Sequence, residues 1–178
     1  QKSTIKAMNI TDTATGKVGY ILFNTFSPFA SEEAIATAMS EMANEGVSDL
    51  VLDLRYNGGG LLAVAAQLGY MVAGPTQTNN KTFDELVINN NPRNPLIGSV
   101  GATPFYNTGL GFTLANGAPL AALDLDRVFI LSTGRTCSAS EAVIPVETTS
   151  PKVETTSLRL SGRREKFTPF SVMSATEK

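Results

Sequence analysis

Two segments of this chain carry residue types that could perform chemistry. The first is RTCSASE, Arg135 to Glu141, which places a threonine, a cysteine and two serines between two apolar runs. A serine at a strand-to-helix turn can act as a nucleophile, because the amides that begin the helix can bind the oxyanion of a tetrahedral intermediate. The same stretch is also a normal helix start, since Ser138 followed by Glu141 fits a capping box. Considered alone, the stretch favours a helix cap.

The second segment is DLRYNGGG, Asp53 to Gly60, in which a strand pattern ends in three glycines and an apolar helical pattern follows. Glycines let the backbone approach a ligand closely, and the amides at a helix start face negative charge. A nucleotide loop is disfavoured, because the segment has no GxGxxG pattern and no Lys-Ser/Thr pair after the glycines. A flexible turn and an anion or oxyanion site both remain open.

The chain contains no histidine, so a serine nucleophile needs another group to accept its proton. A single cysteine, Cys137, excludes an internal disulfide and a cysteine-rich metal site, and the lack of histidine argues against zinc and facial-triad iron. We therefore expect neither metal nor cofactor. We interpret Cys137 as a small buried apolar residue, because no histidine is present to form an ion pair with its thiol.

The composition predicts one globular domain. The chain has 178 residues, of which 42% are hydrophobic and 17% charged. A net charge of -2 gives no reason to expect nucleic acid or an anionic membrane as a partner, and no apolar run is long enough to span a membrane. Because the chain begins at Gln1 and not at Met, we expect a processed form or a fragment.

Strand and helix patterns alternate and predict an α/β fold with a parallel central sheet. Before the first strand, residues 1–17 are polar and carry a turn signal. The helix pattern after it has Ser31 as its expected N-cap, Glu32 and Glu33 in its first turn, and Gly46 as its stop. The predicted strands are residues 18–23, 49–54 and 127–132, a further strand lies in KTFDELVINN, and the second helix covers residues 61–72.

Two stretches are not typical of a packed core. Residues 90–119 are rich in Asn, Gly and Pro, which predicts a long surface excursion. From Pro145 the chain becomes rich in Thr, Ser and charge, with strands expected near Val153 and Leu158. We therefore divide the chain into a core domain, residues 1–144, and a divergent tail, residues 145–178. The tail is a native ending, a frameshifted or truncated segment, or the sequel to a missing stretch.

The two motifs together resemble a known family. DLVLDLRYNGGG followed by RVFILSTGRTCSASEAVI is similar to the C-terminal processing (tail-specific) serine proteases, which are related to the tricorn core peptidases. The resemblance covers roughly residues 18–144. It implies a spiral of β-β-α units like that of crotonase and Clp protease. Family members often carry a PDZ domain that captures substrate C-termini, and we see no PDZ-like segment here.

The resemblance also implies roles for individual residues. Ser138 matches the nucleophile, and Ala139 matches one oxyanion donor through its backbone N–H. Gly59 or Gly60 would supply the second donor.

The family commonly uses a lysine as general base, and a lysine amine can do so when burial or nearby positive charge lowers its pKa toward 7. Lys166, in LSGRREKFTPF, is the nearest candidate, although the glycine expected directly before it stands several positions earlier. Lys152 lies too close to the serine along the chain. Lys17, Lys81 or a carboxylate are the alternative bases.

These implications predict a serine hydrolase that cleaves peptide bonds through an acyl-enzyme on Ser138 with a lysine base. One alternative is a carboxylesterase that acts on small acyl esters with the same serine. Another is a catalytically dead binding fragment. The expected partners are a peptide, an unfolded protein or a small ester, and exposed apolar surface predicts self-association into a homo-oligomer. The resemblance predicts a periplasmic or secreted location.

Overall fold

The strands of this protein form one mixed sheet and one small hairpin-like sheet. The structure is a computed structural model that describes residues 3–86, 101–149 and 154–159. In chain order its elements are β1 (Ile5–Thr13), β2 (Gly16–Phe23), α1 (Ser31–Asn44), β3 (Val47–Asp53), α2 (Leu62–Thr78), β4 (Thr82–Glu85), β5 (Ala102–Pro104), β6 (Arg127–Ser132), α3 (Ala139–Thr149) and β7 (Glu154–Arg159).

The main sheet has five strands in the order β1-β2-β3-β6-β7. Strands β2, β3, β6 and β7 run parallel, which confirms the predicted parallel centre, but β1 pairs antiparallel with β2 and makes the sheet mixed. The sequence reading missed β1. Most of its side chains are exposed or half-buried, so its residues lack the apolar run that marks the central strands.

The first helix corrects one prediction and confirms another. Ser31 is not the N-cap of α1. The cap position is Ala30, without a side-chain cap, and the buried Ser31 hydroxyl instead donates to the Phe26 carbonyl at 2.9 Å. The predicted stop at Gly46 is confirmed, since this residue has a φ of +70°, a conformation that glycine adopts without the steric cost of a Cβ.

The second helix is longer than predicted. It runs past Val72 to Thr78, with a break at Gly74, where φ is +75°, followed by Pro75. A Cβ at position 74 would stand 2.5 Å from the Asp124 carboxylate, so only glycine fits there.

The core lies between the sheet and the helices. Ile21, Leu52 and Ile130 from adjacent parallel strands are fully buried, as are Met39 of α1 and Leu68 of α2. Among the described residues, no helix is both long enough and apolar enough to span a membrane.

The later part of the chain is described in pieces. Helix α3 continues past position 145, and β7 adds to the sheet beside β6. The predicted KTFDELVINN strand appears as β4, and the end of that segment lies outside the described residues. The division of the chain at residue 145 stays a prediction.

The carboxyl ends of β2, β3 and β6 lie at one edge of the sheet, because these strands are parallel neighbours. The segments that follow them, residues 24–30, 54–61 and 133–138, therefore meet at that edge. Ligands of open α/β sheets bind at the carboxyl ends of the strands. Both motifs singled out from the sequence are in these segments.

Candidate active site

The serine turn begins α3 in an unusual backbone conformation. Ser138 directly precedes the helix and has a φ of +56°, which is uncommon for a residue with a side chain and costs about 1–3 kcal/mol. Its side chain is exposed, and its Oγ has no hydrogen-bond partner among the residues that the structure describes. The neighbouring Cys137 is also exposed, so our interpretation of it as a buried residue was wrong.

Hydroxyl groups before the serine tie this turn to the segment after β3. Thr136 is buried, and its Oγ1 donates to the Leu54 carbonyl at 2.8 Å. The Thr133 Oγ1 donates to the Arg55 carbonyl at 2.6 Å. Neither threonine was predicted from the sequence to join the two motifs.

The glycine loop packs directly against the serine turn. Gly59 has a φ of +100°, and a Cβ on it would stand 2.7 Å from the Cys137 carbonyl oxygen and 2.8 Å from the Ser138 Cβ. The same Cβ would lie 3.1 Å from the Ala139 nitrogen. The structure therefore brings together three of the residues that the family resemblance singled out.

The buried side chain of Asn57 organises the glycine loop. Its Nδ2 donates to the Phe23 carbonyl at 3.0 Å, and its Oδ1 accepts from the Gly59 amide at 3.0 Å. The Asn57 carbonyl also accepts from the Cys137 amide at 3.4 Å. One side chain thus joins the end of β2 to the glycine loop, and its backbone joins that loop to the serine turn.

This contact distinguishes the two glycines that were predicted as oxyanion donors. The Gly59 amide is engaged by Asn57, whereas the amides of Gly60 and Ala139 have no acceptor among the described residues. Gly60 lies against the segment that follows β2, since a Cβ on it would stand 2.4 Å from the Ser27 nitrogen. An exposed serine hydroxyl followed by a backbone amide that has no acceptor in the described structure is an arrangement suited to acyl transfer.

Asp53, at the end of β3, forms an ion pair with Arg55 directly before the glycine loop. It is fully buried and accepts hydrogen bonds from Arg55 Nη2 and from the Tyr20 hydroxyl, both at 2.7 Å. Burial by itself would raise the pKa of Asp53, but the hydrogen bonds from Arg55 and Tyr20 outweigh it and hold the pKa below its ordinary value. Asp53 is therefore an ionised group held in a hydrogen-bonded ion pair.

A second buried carboxylate, that of Glu32, binds a distant segment of the chain, and the sequence did not predict this role. Glu32 accepts from the amides of Leu110, Thr113 and Leu114 at 2.6, 2.9 and 3.0 Å, and from Gln67 Nε2 at 2.9 Å. Burial opposes ionisation, yet these donors lower the pKa of Glu32 below its ordinary value. The sequence assigned Glu32 only to the first turn of a helix. Its backbone partners lie 78 to 82 positions away, and no local pattern indicates them.

The two described lysines that were named as alternative bases have other surroundings. Lys17 forms an ion pair with Glu45 at 2.7 Å, near the amino end of β2 and so at the opposite edge of the sheet. Lys81 lines an open groove of about 510 Å³ beside the end of α2. Lys152 and Lys166 lie outside the described residues, and the identity of the base stays a prediction.

A known protein family and several solved structures are similar to the part of the chain that contains both motifs. Residues 17–146 match the model of Peptidase family S41. The chain is similar to a protein described as an S41 protease from Bacteroides fragilis, with 27% identity, a TM-score of 0.68, and coverage of 85% of this chain and 38% of that one. A comparison with curated protein sequences finds no match.

Two more distant structures share the fold alone. A photosystem II D1 C-terminal processing protease is 21% identical, with a TM-score of 0.56 and coverage of 87% of this chain and 37% of its own. A lipoprotein from Streptococcus agalactiae is 14% identical, with a TM-score of 0.53 and coverage of 84% and 48%. The chain thus spans less than half the length of each of these three proteins.

Proposed function

Because this chain belongs to peptidase family S41, we propose that it carries the nucleophile of a serine peptidase and that Ser138 attacks the peptide carbonyl. The observation that carries this proposal is the exposure of the Ser138 hydroxyl together with the backbone conformation of this residue. Its hydroxyl is exposed and unpartnered within the described structure, its backbone has a φ of +56°, and it packs against Gly59. A serine that only capped the helix would use this hydroxyl to accept an amide of the first turn.

The proposed reaction transfers the acyl group to the serine. The Ser138 Oγ forms a bond to the carbonyl carbon while its proton passes to the base. The amides of Ala139 and Gly60 donate to the oxyanion, and their fixed positions favour the transition state. Collapse of the intermediate breaks the C–N bond, and the base returns the proton to the leaving amine. A water molecule then hydrolyses the acyl-enzyme by the same sequence of steps.

Lys166 is the base in this proposal, on the strength of the family resemblance. A lysine must be neutral to accept a proton, so its site would have to lower its pKa. The two alternative lysines in the described structure support this choice indirectly, because Lys17 is paired with Glu45 and Lys81 lines a groove beside the end of α2.

The family membership also supports peptides or unfolded proteins as the substrate class. A β-β-α spiral and a periplasmic or secreted location are further expectations that the resemblance carries. Self-association is expected if the chain is a truncated member that exposes apolar surface where a neighbouring domain packs. No contact or distance in the described structure favours small esters over peptides.

The first test is cleavage of unfolded casein by the purified chain, by Ser138→Ala and by Cys137→Ala. Cys137 is a matched control, since it is the exposed neighbour of the serine. We expect Ser138→Ala to lower the rate by about a thousandfold or more, and Cys137→Ala to retain activity within a few-fold. Circular dichroism of each variant checks that the fold is retained.

The opposing outcomes are distinct. Turnover of p-nitrophenyl butyrate without casein cleavage would indicate an esterase. Equal inactivity of the wild type and Ser138→Ala on both substrates would contradict the proposal and indicate a binding fragment. If casein is cleaved, Lys166→Ala tests the base, and a rate equal to that of the wild type would exclude this lysine.

A further inference from the structure

The start of α3 contains only half of a capping box. In a complete box, the serine hydroxyl accepts from the amide three residues later, and the glutamate side chain accepts from the serine amide. Here the Glu141 Oε2 does accept from the Ser138 amide, at 3.0 Å. The Glu141 amide, however, donates to the backbone carbonyl of Ser138 at 2.8 Å and not to its hydroxyl. The glutamate half of the box is formed and the serine half is not.

The backbone of Ser138 explains why the hydroxyl is left out. A capping serine normally adopts extended backbone angles, from which its hydroxyl reaches the first turn. Ser138 has a φ of +56° instead. Such a conformation persists in a residue with a side chain only when neighbouring contacts hold it. The carboxylate of Glu141 supplies a charge-assisted contact to the amide of that same residue.

The contact also decides which amides remain free. With the Ser138 amide engaged by Glu141, the Ala139 amide is the first one at the helix start without an acceptor among the described residues. Ala139 lies against Gly59, on the side where the glycine loop approaches. In the described structure the serine hydroxyl thus lies outside the cap, and the next amide has no acceptor.

We propose that Glu141 is a positioning residue for the nucleophile: its carboxylate holds the Ser138 amide and so fixes the left-handed backbone that keeps Oγ free. This inference rests on the proposed function of Ser138. It differs from a general stabilising effect of an acidic residue at a helix start, which needs no specific hydrogen bond to the serine.

Three variants separate these two effects. Glu141→Ala removes the acceptor, and Glu141→Gln removes the charge but retains a carbonyl oxygen at the same reach. Glu33→Ala is the matched control, because Glu33 is also an exposed first-turn glutamate, in α1, and its side chain has no hydrogen bond in the described structure. Each variant is measured for kcat and KM on the substrate that the wild type cleaves, and for amide hydrogen exchange at residue 138 by NMR.

We expect Glu141→Ala to lower kcat by on the order of tenfold to a hundredfold, with KM within about twofold, because a small misplacement of a reacting group is costly. Exchange at the Ser138 amide should become several-fold faster. Glu141→Gln should recover most of both losses, and Glu33→Ala should match the wild type in both.

Two results would overturn the inference: a wild-type kcat in Glu141→Ala, or unchanged exchange at residue 138 in that variant. A wild-type chain that cleaves nothing would contradict the proposed function instead, and hydrogen exchange would then decide the inference by itself. Faster exchange in Glu141→Ala and normal exchange in Glu141→Gln would support the backbone contact. Equal exchange in the wild type, Glu141→Ala and Glu141→Gln would disprove it. If Glu141→Ala does not fold, Glu141→Met, which keeps a side chain of similar length but has no oxygen acceptor, provides the same comparison.

Discussion

At the scale of single residues, Asn57 is the residue of the candidate site whose side chain is most constrained by burial and hydrogen bonding. Its amide group is fully buried and uses both ends, one to donate to Phe23 and the other to accept from Gly59. A buried polar group that loses its partner costs more than the hydrogen bond contributed, because water cannot replace the partner. The sequence motif drew attention to the glycines, but the residue that orients one of them is the asparagine before them.

We expect Asn57→Ala to lower the free energy of unfolding by about 2–4 kcal/mol, since it leaves the Phe23 carbonyl and the Gly59 amide without partners. Urea unfolding followed by circular dichroism measures this change. Asn44→Ala is the control, because Asn44 is exposed and has no side-chain hydrogen bond in the described structure. Equal losses in the two variants would contradict the assigned role.

At the scale of elements, the glycine loop and the serine turn form one packed unit. Gly58 and Gly59 are adjacent in sequence but differ in environment. A Cβ at Gly58 would meet no atom within 4 Å, whereas a Cβ at Gly59 would collide with the Cys137 carbonyl. The positive φ of Gly59 adds backbone strain to any substitution there.

Gly59→Ala should therefore displace the serine turn, and Gly58→Ala should not. We expect Gly59→Ala to reduce the rate of any Ser138-dependent hydrolysis at least tenfold and to lower the melting temperature, because backbone atoms on both sides must move. Gly58→Ala serves as the control and should stay within about twofold of the wild type. The model of the loop fails if the two alanine variants behave alike.

The elements that could be predicted from sequence are those whose burial leaves a pattern. Strands β2, β3 and β6 have apolar runs because one face of each strand is buried and much of the other face is half-buried or buried, and both motifs follow such strands. Strand β1 has mostly exposed or half-buried residues, so it gave no such signal. The capping function assigned to Ser31 was wrong because its hydroxyl donates to the Phe26 carbonyl, which precedes the helix, and does not accept from an amide of the first turn.

At the scale of the whole molecule, Glu32 joins α1 to the segment around residues 110–114 and makes stability depend on pH. A carboxyl group whose pKa is lower in the folded than in the unfolded state stabilises the fold. This stabilisation is fully present at pH values above the ordinary pKa of the group, here 4.5. This contribution is lost as the pH falls through the lower pKa of the folded state. The partners of Glu32 could not be predicted, because only the tertiary fold brings those amides to the helix start.

We expect Glu32→Gln to lower the free energy of unfolding by about 2 kcal/mol at pH 7, since hydrogen bonds to a charged acceptor are replaced by weaker ones. The difference from the wild type should shrink as the pH falls from 4.5 toward 2. Urea unfolding at a series of pH values measures it. Glu33→Gln, an exposed neighbour, should follow the wild-type curve, and a constant difference at every pH would argue against an ionised Glu32.

The threonine contacts between the two motifs also set the order in which the site is completed during synthesis. Thr136 and Leu54 are 82 positions apart, so the glycine loop leaves the ribosome well before the residues that hold the serine turn against it. Contacts over such a separation form only after a long stretch of chain has closed. A nascent chain therefore carries its glycine loop and helices α1 and α2 for some time without a nucleophile. Any activity that depends on Ser138 arises only after the first two helices and strands β1 to β6 have been made.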